Sequence, residues 1–417
     1  MNPLDANDPL ARYRDRFLPT PGLVSYLDGN SLGRPLAASV ERVEAFLRGE
    51  WAGKLIRGWD DGWMSQPLTV GDELGRVALG AAPGQVAIGD STTVLLYKTI
   101  RAALDARPDR TEIAIDRENF PTDRYLVEGI ASDRGLTVRW VDTDPAAGVT
   151  PELVAAAVGP DTAVTLFSSV AYRSGFLAEV EAITALVHDA GALTIWDLSH
   201  SVGSVPTPLD DWGVDLAVGC GYKYLNGGPG APAFVWVSPR HAERFWQPLA
   251  GWMGHAAPFE FTPGYRPAPG IRRYLCGTPA VISLAALECG VDTVLAAEPH
   301  GGMHALRAKS LALTRAFAGL VEERCAGLGL TLVSPRDDAQ RGSQVCLAHP
   351  THGYAMVQAL IARGVVGDFR APQVLRFGFT PLYLRFVDVW DAVEHLRDML
   401  QREEWREARF NQKAAVT

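Results

Sequence analysis

Short apolar runs separated by polar, turn-rich stretches recur along the first 240 residues of the chain. Residues 111–116, 137–141, 162–167 and 193–196 are rich in β-branched and aliphatic side chains and have the length of buried strands. A run at 215–218 leads into Gly219 and Gly221, and 84–89 reads as a short strand ahead of an amphipathic helix over 94–104. Stretches opening at Asn119 and spanning 151–158 and 179–190 carry helical spacing between the strands. Strands alternating with helices of this length predict an α/β fold built on a mostly parallel sheet, covered on both faces.

The pattern changes on either side of this region. Turn formers crowd 28–35, and a helix is expected over 36–47. Residues 51–66 hold Trp51, Trp59 and Trp63 without a clean period, which reads as a long loop. Gly, Pro and aromatic residues are dense over 251–278, and helices follow at 280–297 and 303–325. Strands at 344–347, 365–369 and 374–377 with helices at 354–363 and 387–402 predict a small α+β domain. The expected division is an N-terminal segment 1–50 packing with the small domain, a large domain 51–326, and a small domain 327–417.

Composition excludes several classes. The 417 residues are 47% hydrophobic and 21% charged, ordinary for a soluble globular protein. A net charge of −9 leaves no electrostatic footprint for nucleic acid. The start is polar and mixed in charge, unlike a secretory signal, and the apolar stretch 281–297 is broken by Glu288 and Asp292 and too short to span a bilayer. The five cysteines form no C-x-x-C pair, so a disulfide framework and a cysteine zinc site are not expected, and a reducing cytoplasm fits. No H-E-x-x-H, G-x-G-x-x-G or P-loop occurs, and no metal is expected.

The chemistry gathers around 192–228. Asp197 and His200 leave one strand end and Lys223 leaves the next, and strand ends are where open α/β sheets bind ligands. An acid and a lysine converging there suit a cofactor with a basic ring nitrogen and an aldehyde, pyridoxal phosphate (PLP). Thr92 and Thr93 follow a short strand at a helix start, where N–H groups favour a phosphate, although an ordinary N-cap uses the same residue types. Arg376 stands among apolar strand residues, a setting that calls for a buried carboxylate partner more than for a surface ion pair. Cys325 and Cys346 read as packing residues.

Asp197-x-x-His200, Gly221-Tyr222-Lys223-Tyr224-Leu225-Asn226 and Gly251-Trp252-x-Gly254-His255 together resemble kynureninase, in the class V aminotransferase branch of fold-type I PLP enzymes. The likeness runs from Asp28-Gly29-Asn30-Ser31-Leu32-Gly33 through Phe120-Pro121-Thr122-Asp123 to Pro381-Leu382-Tyr383. It implies a seven-stranded large-domain sheet and hydrolysis of L-kynurenine to anthranilate and L-alanine in tryptophan degradation, with catabolism, quinolone-type signals and NAD synthesis all open as fates of the product. By resemblance, Lys223 carries the PLP, Asp197 faces its ring nitrogen, Tyr222 donates to the phosphate and serves in proton transfer, and Asp123 lies near the ring. Thr92, Thr93, Phe120, Thr122, Ser168, His200, Trp252 and Thr278 complete the cofactor contacts. Ser31, Trp59 and His255, with Thr278 alongside, line the aryl side, and Arg376 grips the substrate α-carboxylate. Trp59 and Thr278 stand where animal relatives have histidine and asparagine, which points to plain kynurenine over its 3-hydroxy form. The resemblance also implies a homodimer with active sites at the subunit interface. The rival readings are a cysteine desulfurase, an aminotransferase, or a PLP-fold protein that binds without catalysis.

Overall fold

The computed structural model describes residues 3–412. Seven strands, β1 (Val86–Gly89), β2 (Glu112–Asp116), β3 (Thr137–Val141), β4 (Thr162–Ser168), β5 (Leu193–Asp197), β6 (Leu216–Gly219) and β7 (Ala233–Val237), form one sheet. Their order is β1-β7-β6-β5-β4-β2-β3. The pairs from β6 to β3 are all parallel, and β7 alone runs antiparallel to its neighbours β1 and β6.

Alternation along the strands sends side chains to two cores. Leu166, Ile195, Val218 and Val235 face the helix Thr92–Asp105 with its Leu95, Leu96 and Ile100. Phe167, Trp196, Ala217 and Trp236 face the other way, into a core that continues to Val345 and Phe377. Because both faces are covered, β5, β6 and β7 are buried at every position, and they read as unbroken apolar runs. The edge strand β3 alternates exposure instead.

A second, antiparallel sheet of β8 (Thr331–Leu332), β9 (Gln344–Ala348), β10 (Asp368–Arg370) and β11 (Val374–Gly378) has the order β10-β11-β9-β8. The N-terminal segment is tied to this part of the chain. Ser25–Tyr26 pairs in parallel with Val365–Val366, and Asp28 bridges Gly378.

Three expectations need correction. Residues 365–369 are not one strand: Val365–Val366 pairs with Ser25–Tyr26 and Asp368–Arg370 with β11, and Gly367 between them, where a Cβ would meet the Phe377 ring, carries the chain from one sheet to the other. Residues 51–66 are not a long loop: helix Ala37–Ala45 runs on through a π-helical turn, Phe46–Trp51, then Ala52–Lys54 and a 3-10 turn, Leu55–Trp59. The winding changes every few residues, so no single period is left to read. Strand β7 was not foreseen; it follows a Gly- and Pro-rich turn and, as the antiparallel strand, has no preceding helix to announce it.

Candidate active site

The C-terminal ends of β4, β5 and β6 meet at one edge, with Ser168 registered against Asp197 and Asp197 against Val218. Asp197 ends its strand, and the next turn folds back so that Ser199 donates to its Oδ1 from both backbone N–H (2.9 Å) and hydroxyl (2.6 Å). His200 follows within that turn. After β6 the chain closes tightly, Asn226 N–H donating to the Lys223 carbonyl (2.9 Å) and Gly227 N–H to that of Gly221 (3.0 Å). Asn226 takes a left-handed φ of 55°, which asparagine tolerates better than most residues. The result is a buried Lys223 whose Nζ lies 3.2 Å from His200 Nε2.

Across from Lys223 stands the segment after β2. Its Nζ is 5.8 Å from the Phe120 ring centre and 5.7 Å from that of Tyr222. Asn119, which sequence reasoning did not single out, ties this segment down. Its Oδ1 accepts from Phe120 N–H (2.7 Å) and from Ser168 Oγ (2.8 Å). Thr122 and Asp123 lie in the first turn of helix Pro121–Arg134, and Asp123 is buried with Oδ2 lacking a hydrogen-bond partner among the described residues.

Burial dominates the electrostatics here. It pushes Asp123 well above the usual carboxylate range, with the charges of Asp197 and Asp116 adding to the push and Lys223 opposing it. Asp197 is also raised by burial, against the pull of Lys223 and Ser199. His200 is driven well below its ordinary value by burial, then by Lys223, Arg376 and Arg370, so it is neutral. Burial raises the Tyr222 phenol as well.

Arg376 sits on β11 directly opposite Asp368 on β10 and is buried. Its Nε donates to Asp368 Oδ1 at 2.8 Å and its Nη2 pairs with Oδ2. Nη2 also reaches Ser31 Oγ (2.7 Å), and Nη1 reaches the Tyr172 carbonyl (3.0 Å). Burial would raise Asp368, but Arg376 and Arg370 hold it below the ordinary range. Ser31 is therefore placed among charged groups, donating to Asp368 Oδ2 at 2.6 Å. It arrives there on the N-terminal turn, which also contacts the lysine loop through Gly33 N–H and the Tyr222 carbonyl (2.8 Å).

Thr92 and Thr93 open helix Thr92–Asp105, and its cap is Ser91, whose hydroxyl accepts from Val94 N–H at 3.4 Å. The two threonines thus lie in the first turn beside the N–H groups that helix winding leaves free. A buried Lys98 anchors this turn to the 274–278 segment, donating to Asp90 (2.6 Å) and to the Tyr274 carbonyl (2.6 Å).

The remaining candidates gather elsewhere. Trp59 packs against Trp63 and Trp252, Trp252 against Phe259, and buried His255 against Tyr265. Thr278 lines a cavity of about 260 Å³ with Asp90, Met253 and Cys276. Among the described residues, no hydrogen bond or ring contact joins these four to Lys223 or His200. Asp368 and Arg370 escaped the sequence reading. Their signal was an acid and a base two positions apart on a strand, hence on one face, with the acid in register with Arg376.

Residues 306–396 match the family model for the kynureninase C-terminal domain. The chain is 50% identical to a kynureninase of Burkholderia pseudomallei and 47% identical to one of Pseudomonas fluorescens, in each case over 99% of this chain and 98% of the relative. Among solved structures it resembles the apo cysteine desulfurase of Thermococcus onnurineus NA1 (TM-score 0.78, 15% identity, 96% of this chain and 98% of that one). It also resembles a C-DES mutant with glycine covalently linked to its PLP cofactor (TM-score 0.80, 17% identity, 92% of this chain and 99% of that one). At such identities the structural likeness speaks for the fold alone.

Proposed function

The chain belongs to the kynureninase family, and on that premise we propose that it is a PLP-dependent hydrolase that cleaves the Cβ–Cγ bond of L-kynurenine, releasing anthranilate and L-alanine. The observation that carries the reading is Lys223 held 3.2 Å from a neutral His200, facing two buried acids, Asp197 and Asp123. A desulfurase needs a nucleophilic thiol on a mobile loop. Cys220, Cys289, Cys325 and Cys346 are buried, and Cys276 Sγ lies 3.5 Å from Asp90.

These residues fit PLP. Two acids raised by burial, one with an orphaned oxygen, face Lys223 without a salt bridge to it among the described residues, and a protonated ring nitrogen would give them an ionic partner. Lys223 would hold the aldehyde carbon, the first turn of Thr92–Asp105 the phosphate, and Phe120 the ring face. When bound, PLP withdraws electrons from the substrate's α-carbon and stabilises negative charge there and at Cβ.

The chain's own residues do the rest. Lys223, once its carbon is taken by the substrate amine, carries protons to and from the α-carbon, and a neutral His200 beside it accepts a hydrogen bond without adding charge. Asp197 keeps a proton on the ring nitrogen. Tyr222 stays protonated because burial disfavours its phenolate, so it can deliver a proton to Cβ as the bond to the carbonyl carbon breaks. One water adds its oxygen to that carbonyl carbon, which leaves as the anthranilate carboxylate. Arg376 belongs to the α-carboxylate side of the site, and Ser31, which the resemblance put on the aryl side, joins it there through its hydrogen bonds to Arg376 and Asp368.

The proposal includes a homodimer. Trp51, Leu55, Ile56, Phe259 and Phe261 are exposed, and the Trp59–Trp252–Phe259–Phe261 ring chain links the two segments that carry them. An apolar face of this kind calls for a partner, and a second subunit there would bring Trp59, Trp252, His255 and Thr278 to the aryl side of a site. A cytoplasmic location is part of the same reading, supported by five free cysteines; among the described residues no helix is long and apolar enough to cross a membrane. So is the division at residue 326, supported by the separate seven- and four-stranded sheets, whereas winding that runs unbroken from Ala37 through Lys54 crosses residue 50 and gives no support to a boundary there.

The test is to load purified protein with PLP, add L-kynurenine, and follow anthranilate fluorescence together with L-alanine. Equal amounts of both products are expected, with none from Lys223→Ala. PLP-loaded protein that yields neither product would overturn the reading, and a keto acid in place of alanine would make it an aminotransferase.

A further inference from the structure

The residue expected to grip the substrate carboxylate has little left to grip with. A guanidinium has five N–H donors. Arg376 already directs four of them to Asp368, Ser31 and the Tyr172 carbonyl. Both of its paired forks are therefore engaged within the protein, and at most one N–H faces a ligand. A bidentate carboxylate grip needs a second donor group.

Arg370 is placed to supply it. On β10 it lies two positions from Asp368, on the same strand face, and its Nη2 donates to Asp368 Oδ2 (2.6 Å) and Ser31 Oγ (3.2 Å). Its side chain is 34% exposed where that of Arg376 is 1% exposed. Among the described residues its Nη1 makes no hydrogen bond, and its Nε is buried without a partner. It shares Asp368 and Ser31 with Arg376, so the two guanidiniums lie side by side, and its charge is felt at His200 and Tyr222, the neighbours of Lys223. Asp368 neutralises one of the two arginines, and Asp28, the other acid beside them, is raised to about 7 by burial and by the charge of Asp368.

Resting on the kynurenine reading, we propose that the α-carboxylate site is a two-arginine site, in which Asp368 locks Arg376 as a fixed strut and Arg370 is the second, ligand-facing carboxylate-binding residue. The proposal makes Arg370 a determinant of substrate affinity and of the requirement for a carboxylate at the α-carbon.

The test compares wild type, Arg370→Met and Arg370→Lys, each loaded with PLP. Losing one charge-assisted hydrogen bond of ~1.5–3 kcal/mol raises KM for L-kynurenine roughly tenfold or more in Arg370→Met, with kcat changed by less than about threefold. The inhibition constant of kynuramine, the same amine without the carboxylate, stays as in wild type, and Arg370→Lys recovers part of the loss. An unchanged KM, or a kynuramine constant that worsens in parallel, overturns the proposal, because a merely structural role moves both. L-alanine and ethylamine, whose binding is read from cofactor absorbance, test the same discrimination without turnover. Loss of alanine affinity alone in Arg370→Met upholds the two-arginine site even if wild type makes no anthranilate, an outcome that defeats only the kynurenine reading.

Discussion

The backbone of Gly33 lies against the backbone of Lys223. A Cβ on Gly33 would collide with the Lys223 carbonyl oxygen and stand 2.6 Å from the Asn226 Cα. These two atoms are main chain, so they cannot swing away as the third neighbour, the Asn226 side-chain oxygen, could. Gly33→Ala is therefore expected to push the N-terminal turn off the lysine loop, at a cost of about 1–3 kcal/mol in stability, with a loss of kcat larger than the loss of PLP uptake. Gly49→Ala is the control: none of the described residues lies within 4 Å of its Cβ position, and it should leave the melting temperature unchanged or slightly raised. Thermal melts and anthranilate assays on the two variants check this. Equal behaviour of both would refute it.

Asp197 faces Lys223 in the low-dielectric end of the sheet, and its only direct hydrogen-bond partner side chain is Ser199 among the described residues. Two unit charges ~4 Å apart at an effective dielectric of ~20 attract by about 4 kcal/mol before desolvation is subtracted. Asp197→Asn keeps the shape and removes the charge that would hold a proton on the ring nitrogen. PLP uptake should survive in part while kcat falls by up to about a thousandfold, the equivalent of that attraction. Cofactor absorbance and single-turnover kinetics separate the two effects, and an Asn variant with near-normal kcat would exclude a ring-nitrogen role.

How much of this was legible depends on whether a residue's meaning is local. Asp197, His200 and Lys223 could be read from the chain because each follows a buried run that ends in polar residues, and parallel register brings those ends together. Asp368 and Arg370 could not, because their role rests on a cross-strand partner and on Ser31, more than 300 positions away. Asn119 looked like an ordinary helix-opening residue, since its two acceptor contacts join segments that only tertiary structure aligns. Residues 51–59 hid their helical winding because it changes from π to α to 3-10 within a few residues. Trp59, Trp252, His255 and Thr278 were singled out together, yet among the described residues no hydrogen bond or ring contact joins them to the lysine.

Asp116 predicts a pH effect on stability. It ends β2, and burial, reinforced by Glu118, lifts its carboxyl to about 7. A folded pKa above the unfolded one means that the folded state holds the proton more tightly. Its contribution to stability is therefore full below about pH 4, the unfolded value, and is lost as pH rises through about 7. At ~1.36 kcal/mol per unit, a few kcal/mol are at stake. Urea melts of the PLP-free protein should show stability falling between pH 5 and 8, relative to an Asp116→Asn variant that cannot ionise there. Parallel pH profiles for the two proteins would show that Asp116 titrates normally.

Lys98 offers the sharpest test of how the turn at Thr92 and Thr93, the proposed phosphate site, is held. Its amine is fully buried, while Asp90 keeps 24% of its side chain exposed, so the two partners differ in what removal does. Lys98→Met deletes the cation and leaves the Tyr274 carbonyl without that donor, but Asp90 can turn to water. The expected loss is about 1–3 kcal/mol, short of the 3–5 typical when a buried charge is stranded. Asp90→Asn should cost as much or more, because it leaves the ammonium buried with only a carbonyl and an amide oxygen. Asp90 also holds a left-handed φ of 51° one residue before the Ser91 cap, so either change loosens the turn that presents Thr92 and Thr93. PLP affinity should fall in both single variants. If the pair acts as one clamp, the double variant loses less than the sum of the singles, by 0.5 kcal/mol or more on the scale of coupled neighbours. Strictly additive losses, in stability and in cofactor affinity alike, would mean that Lys98 fixes the 274–278 segment without reaching the helix start.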